Sequence, residues 1–146
     1  MKRLVALVAL VLAGLARAGA GLGDSDEKID DMYGNVLERH LRDDGSVSVL
    51  YQKGRYLYFV VFANRRSVLE RYSHLNGTAL SEREIARFLK ANVAGAAWSP
   101  AAVSSIPRRF VRSDGGAEAT YATVDGRPTL TIRQTARKSR ASRFAE

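Results

Sequence analysis

The chain of 146 residues has no cysteine and only two histidines, three prolines and one tryptophan. Without cysteine there is no disulfide framework, no thiolate nucleophile and no sulfur ligand for zinc. A zinc site needs three or four ligands at short spacing, and His40 and His74 stand alone and far apart. The expectation is therefore no metal and no cofactor. A G-x-S-x-G nucleophile elbow is also missing, so no catalytic residue is assigned. An EF-hand loop requires D-x-[DN]-x-[DN]-G, and Asp24-Ser25-Asp26 meets only its first three places. Long apolar runs are scarce as well. The longest, Leu4 to Leu15, falls short of the ~20 residues that a permanent transmembrane helix needs.

That run reads as the core of a secretion signal. Lys2 and Arg3 precede it, and Ala16-Arg17-Ala18 supplies the small-x-small pattern of a cleavage site, with Ala18-Gly19-Ala20 as an overlapping second choice. No cysteine follows, which excludes a lipoprotein anchor. The division expected is a signal peptide over 1–18, one domain over 19–135 and a basic, disordered tail over 136–146. The location expected is periplasmic or secreted, with no membrane span in the mature form.

The net charge is +8 but unevenly spread. Residues 24–44 carry eight acids and three bases, whereas 45–146 carry seven acids and seventeen bases. A basic half can attract polyanions; solvation by arginine is the simpler reading, and nucleic acid is not the favoured partner.

Periodicity gives the elements. Ile29, Met32, Tyr33, Val36, Leu37 and Leu41 form one helical stripe, with acids crowding its first turns. Gly34 opens an alternative in which Tyr33-Gly34 ends the helix early. After the Asp43-Asp44-Gly45 turn, Val47, Val49 and Tyr51 alternate as a strand, and Lys53-Gly54 is a hairpin turn. Arg55 to Ala63 is apolar on both faces, with Tyr56, Tyr58, Val60 and Phe62 on one and Leu57, Phe59 and Val61 on the other. Such a strand is central and covered twice. Ser67 to Ser73 makes a third strand. Asn76-Gly77-Thr78 matches a glycosylation sequon but reads as a turn. Ser81-x-x-Glu84 is a capping box opening a second helix through Ile85, Phe88, Leu89 and Val93. Ala96 to Pro107 reads as irregular. Arg109–Arg112, Ala117–Val124 and Thr129–Thr135 are strands separated by Asp114-Gly115-Gly116 and Asp125-Gly126. The fold class expected is α+β, a two-layer domain of antiparallel meander sheet with two helices on one face, in the order α-βββ-α-βββ. The recurrence of VLER at Val36–Arg39 and Val68–Arg71 reads as chance.

Tyr33-Gly34, VLYQKGRYLYFVVF, NGTALSEREIARFLKAN and Gly95-Ala96-Ala97-Trp98 together resemble a pattern found in small exported bacterial proteins that are themselves uncharacterised. The resemblance implies export and a small α+β fold, and no activity. In element order alone the chain is also distantly similar to BamE-like envelope assembly domains, without their lipoprotein cysteine.

Function is expected to be binding, by an exported accessory module of unspecified partner. The doubly apolar strand needs a cover on its second face. Tyr56, Tyr58, Phe62, Arg65, Arg66 and Trp98 are the candidate interaction surface. Two alternatives remain open. One is a hydrolase of envelope polymers using His40 or His74 with Asp43, Asp44 or Glu70. The other is a weak polyanion binder using the Arg-rich second half and the tail bases Arg137, Lys138, Arg140 and Arg143.

Overall fold

The computed structural model describes residues 20–101 and 107–135. The expected leader and basic tail lie outside the described residues. The elements are α1 (Asp26–Tyr33), β1 (Asn35–Leu41), β2 (Val47–Lys53), β3 (Tyr56–Ala63), β4 (Arg66–His74), α2 (Glu82–Ala91), β5 (Trp98–Pro100), β6 (Arg108–Arg112), β7 (Ala117–Val124) and β8 (Arg127–Gln134). The strands form one antiparallel sheet in the order β1-β2-β3-β4-β8-β7-β6-β5. The chain is α+β. Its order is α-ββββ-α-ββββ, one strand more in each half than the sequence pattern suggests.

The first extra strand replaces the second half of the expected helix. Gly34 adopts a φ of +75°, its N–H closes on the Asp30 carbonyl, and α1 stops at Tyr33. A left-handed residue costs almost nothing for glycine and ~1–2 kcal/mol for others, so Gly34 is a natural stop. Residues Asn35–Leu41 then pair with β2 as an edge strand, exposed throughout. Val36, Leu37 and Leu41 are 40%, 46% and 79% exposed; their helical spacing has no buried stripe behind it. The second extra strand is β5, where Trp98 pairs with Arg112 and Pro100 with Phe110 in the segment expected to be irregular. The two VLER copies fall in β1 and β4, which are not equivalent strands of the two halves.

The halves meet where Leu69–Tyr72 of β4 pairs with Leu130–Arg133 of β8. The β3–β4 turn places Asn64 and Arg65 at φ 51° and 61°, the geometry a two-residue hairpin prefers. Arginine is a poor choice there. Ion pairs from Arg65 to Asp26 and Glu27, and a bond from the Asp26 N–H to the Arg65 carbonyl, hold it in place.

Strand register sorts the side chains. Val49, Tyr51, Tyr58, Val60, Glu70, Tyr72, Leu130 and Ile132 share one side, here the first side. Leu50, Leu57, Phe59, Val61, Leu69 and Arg71 share the other, the second side. Tyr33 of α1 stacks on Tyr58 at 4.1 Å, and Phe88 of α2 stacks on Tyr72 at 4.4 Å. The core of Ile29, Val49, Tyr51, Val60, Leu130 and Ile132 is closed to solvent.

Candidate functional site

The six residues expected to form an interaction surface do not come together. Tyr56, Tyr58 and Phe62 lie on the first side and are 9%, 8% and 3% exposed. Trp98 is half-buried against the same core, its indole Nε1 without a hydrogen-bond partner among the described residues. Arg65, in the β3–β4 turn, and Arg66, the first residue of β4, sit at the far end of β3. Arg65 is engaged by Asp26 and Glu27, and Arg66 donates to the Gly23 carbonyl. Alternation separated the two sets of β3 side chains correctly. It carried no signal for which set meets the rings of Tyr33 and Phe88; Tyr58 of the tyrosine set stacks on Tyr33 and lies edge-on to Phe88.

The second side is built from the other set. Leu50 on β2, Leu57 and Phe59 on β3 and Leu69 on β4 are half-buried, and Val61 among them is 6% exposed. The Arg71 guanidinium lies 5.2 Å over the Phe59 ring, and its Nε is buried without a hydrogen-bond partner among the described residues. Further along the sheet, Arg109 and Arg133 both reach Glu118. These ring and ion contacts run from strand to strand. The result is an apolar patch across three adjacent strands, bordered by three arginines and one carboxylate.

The residues of the hydrolase alternative are dispersed. His40 lies on β1 opposite Ser48, exposed, with Glu38 at 3.3 Å. His74 ends β4 opposite Tyr56, on the other side of the sheet, between the Thr78 hydroxyl at 2.7 Å and Glu84 at 2.9 Å. Asp43 and Asp44 occupy the β1–β2 turn, where Asp44 accepts from the Ser46 amide. Glu70 is sealed in the core.

Two carboxylates on the first side have opposite electrostatics. Glu84 closes the capping box on Ser81 and accepts from Tyr56, Arg55 and His74. Burial alone would raise its pKa, but the hydrogen bonds from Tyr56, Ser81 and His74 outweigh that and bring it down to about 2. Glu70 has the reverse balance. Burial dominates and pushes it up to about 8, against the hydrogen bond donated by the Tyr72 hydroxyl at 3.0 Å. Sequence alternation marks Glu70 as unusual, since it stands two places before Tyr72 on a face that must be buried.

Seven of the thirteen arginines among the described residues are ion-paired, Arg109 and Arg133 sharing the single carboxylate of Glu118. Arg39, Arg55, Arg65, Arg108, Arg109, Arg112 and Arg133 each face a carboxylate, which leaves less free charge for a polyanion than the sequence suggests. Among the described residues, no group of three His, Asp or Glu is placed to hold a metal, and no helix is long and apolar enough to cross a membrane.

No family model matches the sequence, and no curated protein matches it. Among solved structures the chain is similar to a cysteine-rich secretory protein of Staphylococcus aureus, at 10% identity and a TM-score of 0.46. The match covers 78% of this chain and 44% of that one, so the chain spans less than half of that protein's length.

Proposed function

We propose that this is an exported, non-enzymatic binding module with a two-layer fold, in which both helices cover the first side of the sheet and the second side receives a protein partner. The observation that carries the reading is the apolar patch of Leu50, Leu57, Phe59 and Leu69, with Arg71 laid over Phe59. A patch of this kind on a sheet face is a recognised mark of a docking surface. Arg71, Arg109 and Arg133 outnumber Glu118 beside it, so the complementary partner presents an apolar ridge edged with carboxylates.

Affinity capture from envelope extracts tests the reading, with each captured protein purified and rebound to the module. Wild type and a Lys90→Glu variant, altered on exposed α2, are expected to bind the same partner, and Leu57→Glu and Phe59→Glu to lose it at unchanged circular dichroism. Identical capture by all four proteins rules the patch out.

The leader pattern supports export, and the packing next to it bears on which of the two cleavage sites is used. Ala20 is 2% exposed and its carbonyl accepts the Tyr33 hydroxyl at 3.3 Å. Cleavage after Ala18 keeps these contacts, whereas cleavage after Ala20 removes a buried residue. The mature protein is therefore expected to begin at Gly19 when its N-terminus is sequenced. A product starting at Met1 contradicts export, and one starting at Gly21 contradicts the choice between the two sites.

A further inference from the structure

A cavity of about 530 Å³ opens on the first side of the sheet, remote from the proposed docking face. That is a ligand-sized volume. Its walls are aromatic: Tyr33 from α1, Tyr56, Tyr58 and Tyr72 from the sheet, and Phe88 from α2. Three cations, Lys53, Arg55 and Arg87, also line it.

Two features of this lining are unfinished. The hydroxyls of Tyr33, Tyr56 and Tyr72 donate to the Ala20 carbonyl, to Glu84 and to Glu70 respectively. The Tyr58 hydroxyl has no such partner among the described residues, although Tyr58 is only 8% exposed. The Tyr58 ring is buried, but its oxygen is not among the sealed unpartnered atoms, and Tyr58 lines the cavity, where an acceptor can reach its O–H. The cations show the same imbalance. Arg55 is neutralised by Glu84 at 2.9 Å. Among the described residues Lys53 meets only the Met32 carbonyl, at 2.6 Å. Arg87 lies 5.2 Å over the Tyr56 ring and 5.1 Å over Phe88, with no carboxylate partner among the described residues.

The geometry points to a binding site for a small planar aromatic anion. Its ring packs against Tyr33 and Phe88, its acidic group meets Arg87 and Lys53, and an acceptor atom takes the Tyr58 hydroxyl. Flat rings offset against aromatic walls gain more than area burial alone supplies, and the guanidinium gives a planar, charge-assisted contact. Glu84 does not repel such a ligand, because its charge is held by Arg55, Tyr56 and His74.

Two fluorescent probes that share a ring system and differ in charge provide the test: 8-anilinonaphthalene-1-sulfonate, an anion, and N-phenyl-1-naphthylamine, which is neutral. The purified protein is expected to bind the anion at one saturable site and the neutral dye about tenfold more weakly, the usual scale for a charged hydrogen bond. Arg87→Gln, a change at an exposed position, should weaken the anion by about tenfold and leave the neutral dye unchanged. Tyr58→Phe, nearly isosteric, should weaken the anion several-fold at an unaltered melting temperature. Phe59→Glu, on the opposite side of the sheet, should change neither, which separates this site from the docking face. Equal affinity for the two dyes, indifference to Arg87→Gln, or loss of the anion in Phe59→Glu each overturns the assignment.

Discussion

Glu70 is the residue whose chemistry is most out of place. Its carboxyl is walled in by Ile132 and Val60 across the ladder, with the Tyr33 and Tyr72 hydroxyls beside it. The Tyr72 hydroxyl in turn accepts from Asn92, which takes the Leu22 amide on its own Oδ1. One buried network thus runs from the sheet centre to the N-terminal segment. Its stability should depend on pH in a definite direction. With the folded pKa raised from 4.5 to about 8, the protonated form is favoured in the folded state. The contribution is complete below about pH 4.5 and is lost as pH rises through 8, at roughly 1.4 kcal/mol per pH unit. Urea midpoints of the wild type are expected to fall between pH 5 and pH 8, while Glu70→Gln shows a flatter profile and the higher midpoint at pH 8. Parallel profiles would show that Glu70 does not titrate in this window. Glu84, depressed to about 2, acts the other way: its stabilisation is present above pH 4.5 and disappears as pH falls toward 2.

Individual elements differ in how far their residues announce them. The second helix is legible because Ser81 and Glu84 make both halves of the box, a local device that needs no tertiary partner. Ser81→Ala is expected to cost about 1 kcal/mol by chemical denaturation. The Asp125-Gly126 hairpin is legible for the same reason, and so is the β2–β3 turn, although it falls on Gly54-Arg55, one residue beyond the expected Lys53-Gly54. Strand β1 was hidden because its apolar residues repeat at helical spacing by accident, and only Gly34 contradicts a helix. That glycine has open space around the position of a Cβ, yet its φ is +75°. Gly34→Ala should therefore lose about 1 kcal/mol through backbone conformation alone, with no steric part. A neutral result would mean that the chain tolerates another conformation there. Strand β5 escaped detection because three residues are too few for alternation to register, and its pairing to β6 is a long-range event.

At the scale of the molecule, one helix and a four-strand meander occur twice, and the two halves join where β4 meets β8. This doubling leaves no recurring motif in the sequence, since the two halves share a plan and not their side chains. The fold class was readable from periodicity. The proposed docking surface was not, because alternation divides a strand into two faces without naming the one that solvent reaches. On β3 that distinction separates Tyr56 and Tyr58 from Leu57 and Phe59, and with them the proposed ligand cavity from the proposed docking face. A photo-reactive benzoylphenylalanine placed in turn at positions 57, 59, 83 and 90 of the protein tests the proposed docking face most directly. Irradiation in intact cells is expected to give one discrete protein adduct from positions 57 and 59 and none from 83 and 90 on α2. No adduct at 57 and 59, or the same adducts from all four positions, would contradict the account.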